Sequence, residues 1–198
     1  AARSAAGSAR AGVPVSGPRV IPAPEGLPPV KCALGWCSRP CAPSRAPDHL
    51  WHLCAAHWDE LEAWRAHDSS ALALVIVLDQ FSRNLFRGDV RSFSQDGRAL
   101  SVAKHLVERG ADRAMRPVER WFVYLPFEHS ESLADQQRSL ELFGQLADDP
   151  DSAGTIDYAH RHFDIIRCFG RFPHRNEILG RPSTPEEHAF LQQPGSRF

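Results

Sequence analysis

The 198-residue chain has no long apolar run; the longest is Ala71–Leu78. A helix needs roughly 20 apolar residues to span a bilayer, so no membrane span is expected. Nor is there a basic start followed by an apolar core and a cleavage site, so no secretory signal is read and a cytoplasmic location is expected. Charge of one sign is missing too: the formal net charge is −1. That gives no bulk attraction to nucleic acid or to an anionic membrane, and neither is expected as a partner. Strand alternation is absent, and no clean repeat of about 34 residues can be read. There is no HExxH, and no serine sits in a nucleophile elbow.

Cysteine is present but arranged for little. Cys32, Cys37, Cys41 and Cys54 crowd the first quarter and Cys168 stands alone. An odd count without a secretion signal argues against a disulfide framework. The spacing is a poor match to paired zinc knuckles, so the first four read as incidental. Cys168 has apolar neighbours and reads as core.

Residues 1–47 differ in composition from the rest. They hold nine of the sixteen prolines and a single acidic residue, Glu25. Such a segment buries too little surface to offset its ordering entropy, so a disordered or aberrant N-terminal segment is expected there. The chain starts at Ala1 and its one methionine is Met115. A fragment, or a front part from a wrong gene start or reading frame, is the matching expectation.

A helical domain is expected over 48–198. Asp48 is placed to cap a helix through Trp64. Ser69 caps the next, whose stripe Leu74, Leu78, Phe81 and Leu85 continues to Phe86, with Gly88 as its stop. A third helix is expected from about Arg91 to Arg109. Pro117 suits the first position of a fourth, which Pro126 should break or kink, leaving Glu128 and His129 in the break. A fifth starts near Ser130 or Ser132. A sixth runs from about Thr155 to Phe169, with Ile156, Ala159, Phe163 and Ile166 on its apolar face and His160, Asp164 and Arg167 opposite. Thr184, Pro185 and Glu187 form a capping-box start for the last. Helices of this length on short loops imply an all-α antiparallel array.

Three polar strings interrupt this apolar pattern: Leu78–Asn84, Leu125–Glu131 and Arg171–Asn176. Polar groups placed where helices meet are costly unless partnered, so the strings are expected to share one site. Asp79 and Arg83 have ion-pair spacing, with Asn84 nearby to order the arginines. His129, flanked by Glu128 and Glu131, offers acid–base chemistry, as does His174; these four are the candidate catalytic residues. Asp79, Arg83, Asn84, His160, Arg171, Arg175 and Asn176 are the candidate ligand-binding residues, with Arg83, Arg171 and Arg175 expected to converge on one anionic group. Plainer readings exist for each string: a solvated face, a helix cap, and a buried ion network without ligand. Glu128, His129, His160 and His174 are acceptable metal ligands, but their spacing fits no metal motif and no metal site is assigned. No cofactor is indicated.

The stretches LALVIVLDQFSRNLFRG (72–88), FVYLPFEHSE (122–131) and HFDIIRCFGRFPHRNEILGRPSTPEEHAFL (162–191) resemble the bacterial domain-of-unknown-function 924 family over about residues 59–198. The resemblance implies an all-helical, tetratricopeptide-like fold and brings no established activity. Residues 1 to about 50 depart from that family's usual aromatic-rich start. The function expected from the residues is binding of a small anionic ligand, with hydrolysis or isomerisation by acid–base chemistry. The alternative is a non-enzymatic module binding an acidic peptide through the same arginines.

Overall fold

The computed structural model describes residues 60–197. Segment 1–47, most of the Asp48–Trp64 helix and the first four cysteines lie outside the described residues. Among the described residues the fold is all-α, with seven α-helices and no strand. We number them α1 (Asp68–Ile76), α2 (Ser82–Leu85), α3 (Asp96–Glu108), α4 (Pro117–Glu128), α5 (Leu133–Gly144), α6 (Ala153–Phe169) and α7 (Pro185–Leu191). Helix α4 is central and packs on α1, α3, α5 and α6. Leu74, Leu78, Val102, Leu106, Val123, Phe127, Leu142 and Phe143 meet in the main core. A smaller cluster of Ile165, Ile166 and Phe172, flanked by Phe169 and Phe190, ties the C-terminal segment to α6.

Helices α1 and α2 are one rod joined by a π-helical turn, Val77–Phe81. A π turn takes an extra residue per turn, so it rotates every later side chain relative to an α-helix. The expected stripe therefore holds only in part: Leu74 and Leu78 are buried, but Phe81 and Leu85 are exposed. Asp79 and Ser82 turn inward in their place.

Four further expectations are corrected. The third helix starts at Asp96; residues Val90–Phe93 form a separate 3-10 turn capped by the Asp89 side chain. Pro126 does not break α4, which continues to Glu128, and the His129 N–H bonds the Leu125 carbonyl at 2.9 Å. The helix therefore absorbs both the missing Pro126 N–H and the crowding of its ring against the preceding turn. On α6 the buried side chains are Ala159, His162, Ile165 and Ile166, while Cys168 is exposed rather than core. Asp164 and Arg167 do pair on the outer face. The capping box at Thr184 is present as expected: Thr184 Oγ1 accepts from Glu187 N–H at 3.2 Å, and Glu187 accepts from Thr184 N–H at 2.7 Å.

Candidate functional site

The three polar strings meet where the π turn, the end of α4 and the 3-10 turn Pro173–Arg175 come together. Asp79 lies at the bottom, 1% exposed. Its Oδ1 accepts from His129 Nδ1 at 2.8 Å and from Arg83 Nη1 at 3.0 Å. Burial alone would raise its pKa. The facing His129 and Arg83, with hydrogen bonds from His129 and Gln80, instead hold it down at about 2. An ionised carboxylate only accepts hydrogen bonds, so Nδ1 of His129 carries the ring proton and Nε2 keeps its lone pair. Burial, and then the Arg83 charge, lowers the His129 pKa, so the ring is neutral at pH 7.

Arg83 reaches a second carboxylate. Its Nη1 and Nη2 donate to Asp96 Oδ1 and Oδ2 at 2.8 and 2.9 Å. Arg175 Nη1 approaches Asp96 Oδ2 at 3.3 Å, and its Nη2 donates to the His129 carbonyl at 3.0 Å. The Arg175 guanidinium lies between the Phe93 and Phe172 rings, 4.7 and 4.5 Å from their centroids. Burial draws its pKa down to about 10, partly opposed by Asp96, and it remains a cation at pH 7.

Behind His129, Glu128 and His162 form a buried pair, with Glu128 Oε1 3.0 Å from His162 Nδ1. The same nitrogen is 2.9 Å from the Tyr158 carbonyl, which accepts its proton. Burial, reinforced by the Asp79 charge, pushes the Glu128 pKa up to about 8. Burial draws His162 down to about 3. Despite its ion-pair distance, the pair is therefore neutral at pH 7. Glu128 Oε2 and Arg175 Nε are buried without a hydrogen-bond partner. His162 packs against both His129 and Phe172, with centroids 6.2 and 5.4 Å apart. His174 packs tilted against Phe172, centroids 5.6 Å apart, its pKa drawn down to about 4 by burial and the Arg175 charge.

The remaining candidates lie elsewhere. Arg171 does not converge with Arg83 and Arg175; its fork is taken by Glu187 at 2.6 and 2.7 Å. Asn176 donates to Glu187 and to Ser183. Glu131 accepts from both Nη atoms of Arg181, at 2.8 and 2.9 Å, and from the Phe172 N–H at 2.8 Å. These residues tie the corner between α6 and α7 to the end of α4. Asn84 is exposed, donates to the Gln80 carbonyl and accepts from Arg87 at 3.4 Å. His160 is exposed on the outer side of α6. Asp96, His162, Phe93, Phe172 and Arg181 were not named as site residues from the sequence. His162 had a local signal, three residues beyond Ala159 on the buried face, and Phe172 lies inside the Arg171–Asn176 string.

Among the described residues no three His, Cys, Asp or Glu side chains are grouped to hold a metal ion, and no helix is long and apolar enough to cross a membrane. Two open grooves, of about 450 and 350 Å³, lie on α3 (Arg65, Ser101, His105) and beside the start of α1 (Asp68, Leu72, Met115). Neither is lined by a residue of the cluster. The strongly perturbed, buried titratable groups lie in the cluster and not in these grooves.

The fold and this inward-facing polar centre define an all-α protein built around a buried charged cluster. The model of the bacterial protein family of unknown function DUF924 matches residues 45–195, and the chain belongs to that family. A solved protein of unknown function from Agrobacterium tumefaciens, ATU0120, is 43% identical, with a TM-score of 0.64 over 70% of this chain and 76% of that one. No curated protein matches.

Proposed function

We propose that the chain binds a small anionic molecule at the Asp79–His129–Arg83–Arg175 cluster and moves a proton on it. The observation that carries this reading is the 2.8 Å contact between Asp79 and His129 Nδ1. It leaves a neutral ring whose Nε2 is a base at pH 7. Glu128, adjacent in sequence, is held as the neutral acid while Asp79 is held as the anion. Two carboxyl groups pushed to opposite protonation states supply a proton donor and a fixed charge in one place. Arg83 and Arg175 supply the positive charge. The reading casts Glu131, Arg171 and Asn176 as positioning residues, which hold the corner that seats Arg175, and His174 as part of its aromatic wall.

The inward aim of the arginines supports a small molecule over an extended acidic peptide. Arg83 and Arg175 have side chains 19% and 8% exposed, too little to form a cationic row along a groove.

The test is native mass spectrometry of the protein after incubation in a bacterial metabolite extract made up in heavy water. The expected result is a retained small anion that carries solvent deuterium with the wild type but not with His129→Gln. Wild-type protein at its bare mass, with no deuterium entering any extract component, would overturn the proposal.

A further inference from the structure

We propose that Asp96 is a built-in stand-in for the ligand, and that the Arg83–Arg175 pair is a subsite for a planar carboxylate. This deepens the anion-binding reading and rests on it.

The geometry is that of carboxylate recognition. Arg83 presents two parallel N–H groups to the two Asp96 oxygens, at 2.8 and 2.9 Å, and Arg175 adds a third donor at 3.3 Å. Both arginines are held without Asp96. Arg83 also donates to the Asp79 carbonyl and carboxylate, at 3.1 and 3.0 Å. Arg175 is fixed by the His129 carbonyl and by the Phe93 and Phe172 rings. The receptor therefore survives when Asp96 leaves.

Asp96 is the most solvent-facing member: its side chain is 21% exposed, against 19% for Arg83, 8% for Arg175 and 1% for Asp79. It is the first residue of α3, where a change of rotamer swings the carboxylate to solvent without breaking a helix hydrogen bond. Its contact with Arg175 is the longest in the fork. A further donor, Arg175 Nε, is buried and reached by no acceptor. A buried guanidinium with an unused N–H is costly unless something else supplies the oxygen.

Charge balance agrees. Arg83 and Arg175 are offset by Asp79 and Asp96, while His129 and Glu128 are neutral at pH 7. With Asp96 swung out the cluster carries one positive charge, which a monocarboxylate replaces.

The experiment compares wild type with Asp96→Asn, titrating each with sodium acetate, sodium formate and inorganic phosphate against sodium chloride at constant ionic strength. Binding is read from the arginine side-chain N–H signals by NMR. The expected result is saturable acetate and formate binding, tighter in Asp96→Asn by about tenfold or more because no internal carboxylate competes. A folded Asp96→Asn with the wild-type response would overturn the proposal, as would phosphate binding as tightly as acetate. If Asp96→Asn does not fold, its folded fraction is followed by circular dichroism as formate is added. Saturable recovery beyond that in chloride supports the subsite, and equal recovery overturns it. An anion retained from extract by wild type, without gain in Asp96→Asn, sinks the subsite alone. Acetate binding to Asp96→Asn, with no retained anion and no deuterium uptake, sinks the functional reading alone.

Discussion

Glu128→Gln should change how stability depends on pH, and the size of the change follows from where Glu128 sits. Burial and the Asp79 charge raise its folded pKa to about 8 from the ordinary 4.5. Between those values the folded protein keeps a proton that the unfolded chain has lost. Raising the pH therefore favours unfolding, by about 1.4 kcal/mol per pH unit, until the folded state also ionises. His162 and His174 act the other way. Their folded pKa values, about 3 and about 4, lie below the ordinary 6.5, so their contribution grows as pH rises to 6.5 and levels off above it. Both proteins share these histidine effects, and the difference between them isolates Glu128. From pH 6.5 to 8.5 wild type should lose about 2 kcal/mol relative to Glu128→Gln, a relative fall in Tm of about 4–8 °C. Urea unfolding at half-unit pH steps measures the difference directly. Two parallel curves over that range would refute a neutral, buried Glu128, and with it the acid half of the proposed chemistry.

The π turn makes a separate prediction about Leu78 and Phe81. Leu78→Ala should cost about 2–5 kcal/mol because Leu78 is buried, whereas Phe81→Ser should cost less than about 0.5 kcal/mol because Phe81 faces solvent. Equal losses in denaturant melts would place both on one uninterrupted α-helical stripe. Thr184→Ala removes half of the capping box and should cost about 1 kcal/mol. An unchanged unfolding midpoint would contradict the cap's role in holding α7.

The helices were legible where local chemistry sets them. Thr184, Pro185 and Glu187 specify the start of α7 within four residues, and the structure has that cap. Apolar periodicity found α5 and α6 to within a few residues, and α3 except for its start, which lies at Asp96 and not Arg91. It misjudged the rod beyond Leu78 because an α-helical period assumes a constant rotation per residue. The π turn adds one residue, and nothing local in Val77-Leu78-Asp79-Gln80-Phe81 announces it. What demands it is tertiary: Asp79 must face His129, fifty residues on. Pro126 was misread for a related reason. The helix-breaking cost of about 3 kcal/mol is offset by the apolar burial of Val123 and Phe127 on either side of the proline.

The cluster divides along the same line. Asp79 and Arg83 were visible as partners because they are four residues apart on one helix, a spacing with a fixed geometric meaning. The pairing of Arg83 with Asp96 spans thirteen residues and a change of helix, and that of Arg175 with Asp96 spans seventy-nine. Composition showed the arginines but not which carboxylates would take them. The expectation of Arg83, Arg171 and Arg175 on one anion overlooked Glu187, which acts in the α7 cap and also fills the Arg171 fork. One carboxylate doing two tasks releases nothing at Arg171 for a ligand. Asp96 is different: among the described residues its side chain takes bonds only from Arg83 and Arg175, and it meets solvent. That contrast between a carboxylate tied into a helix start and one resting on two fixed guanidiniums is why the exchangeable position is assigned to Asp96 and not to Glu187.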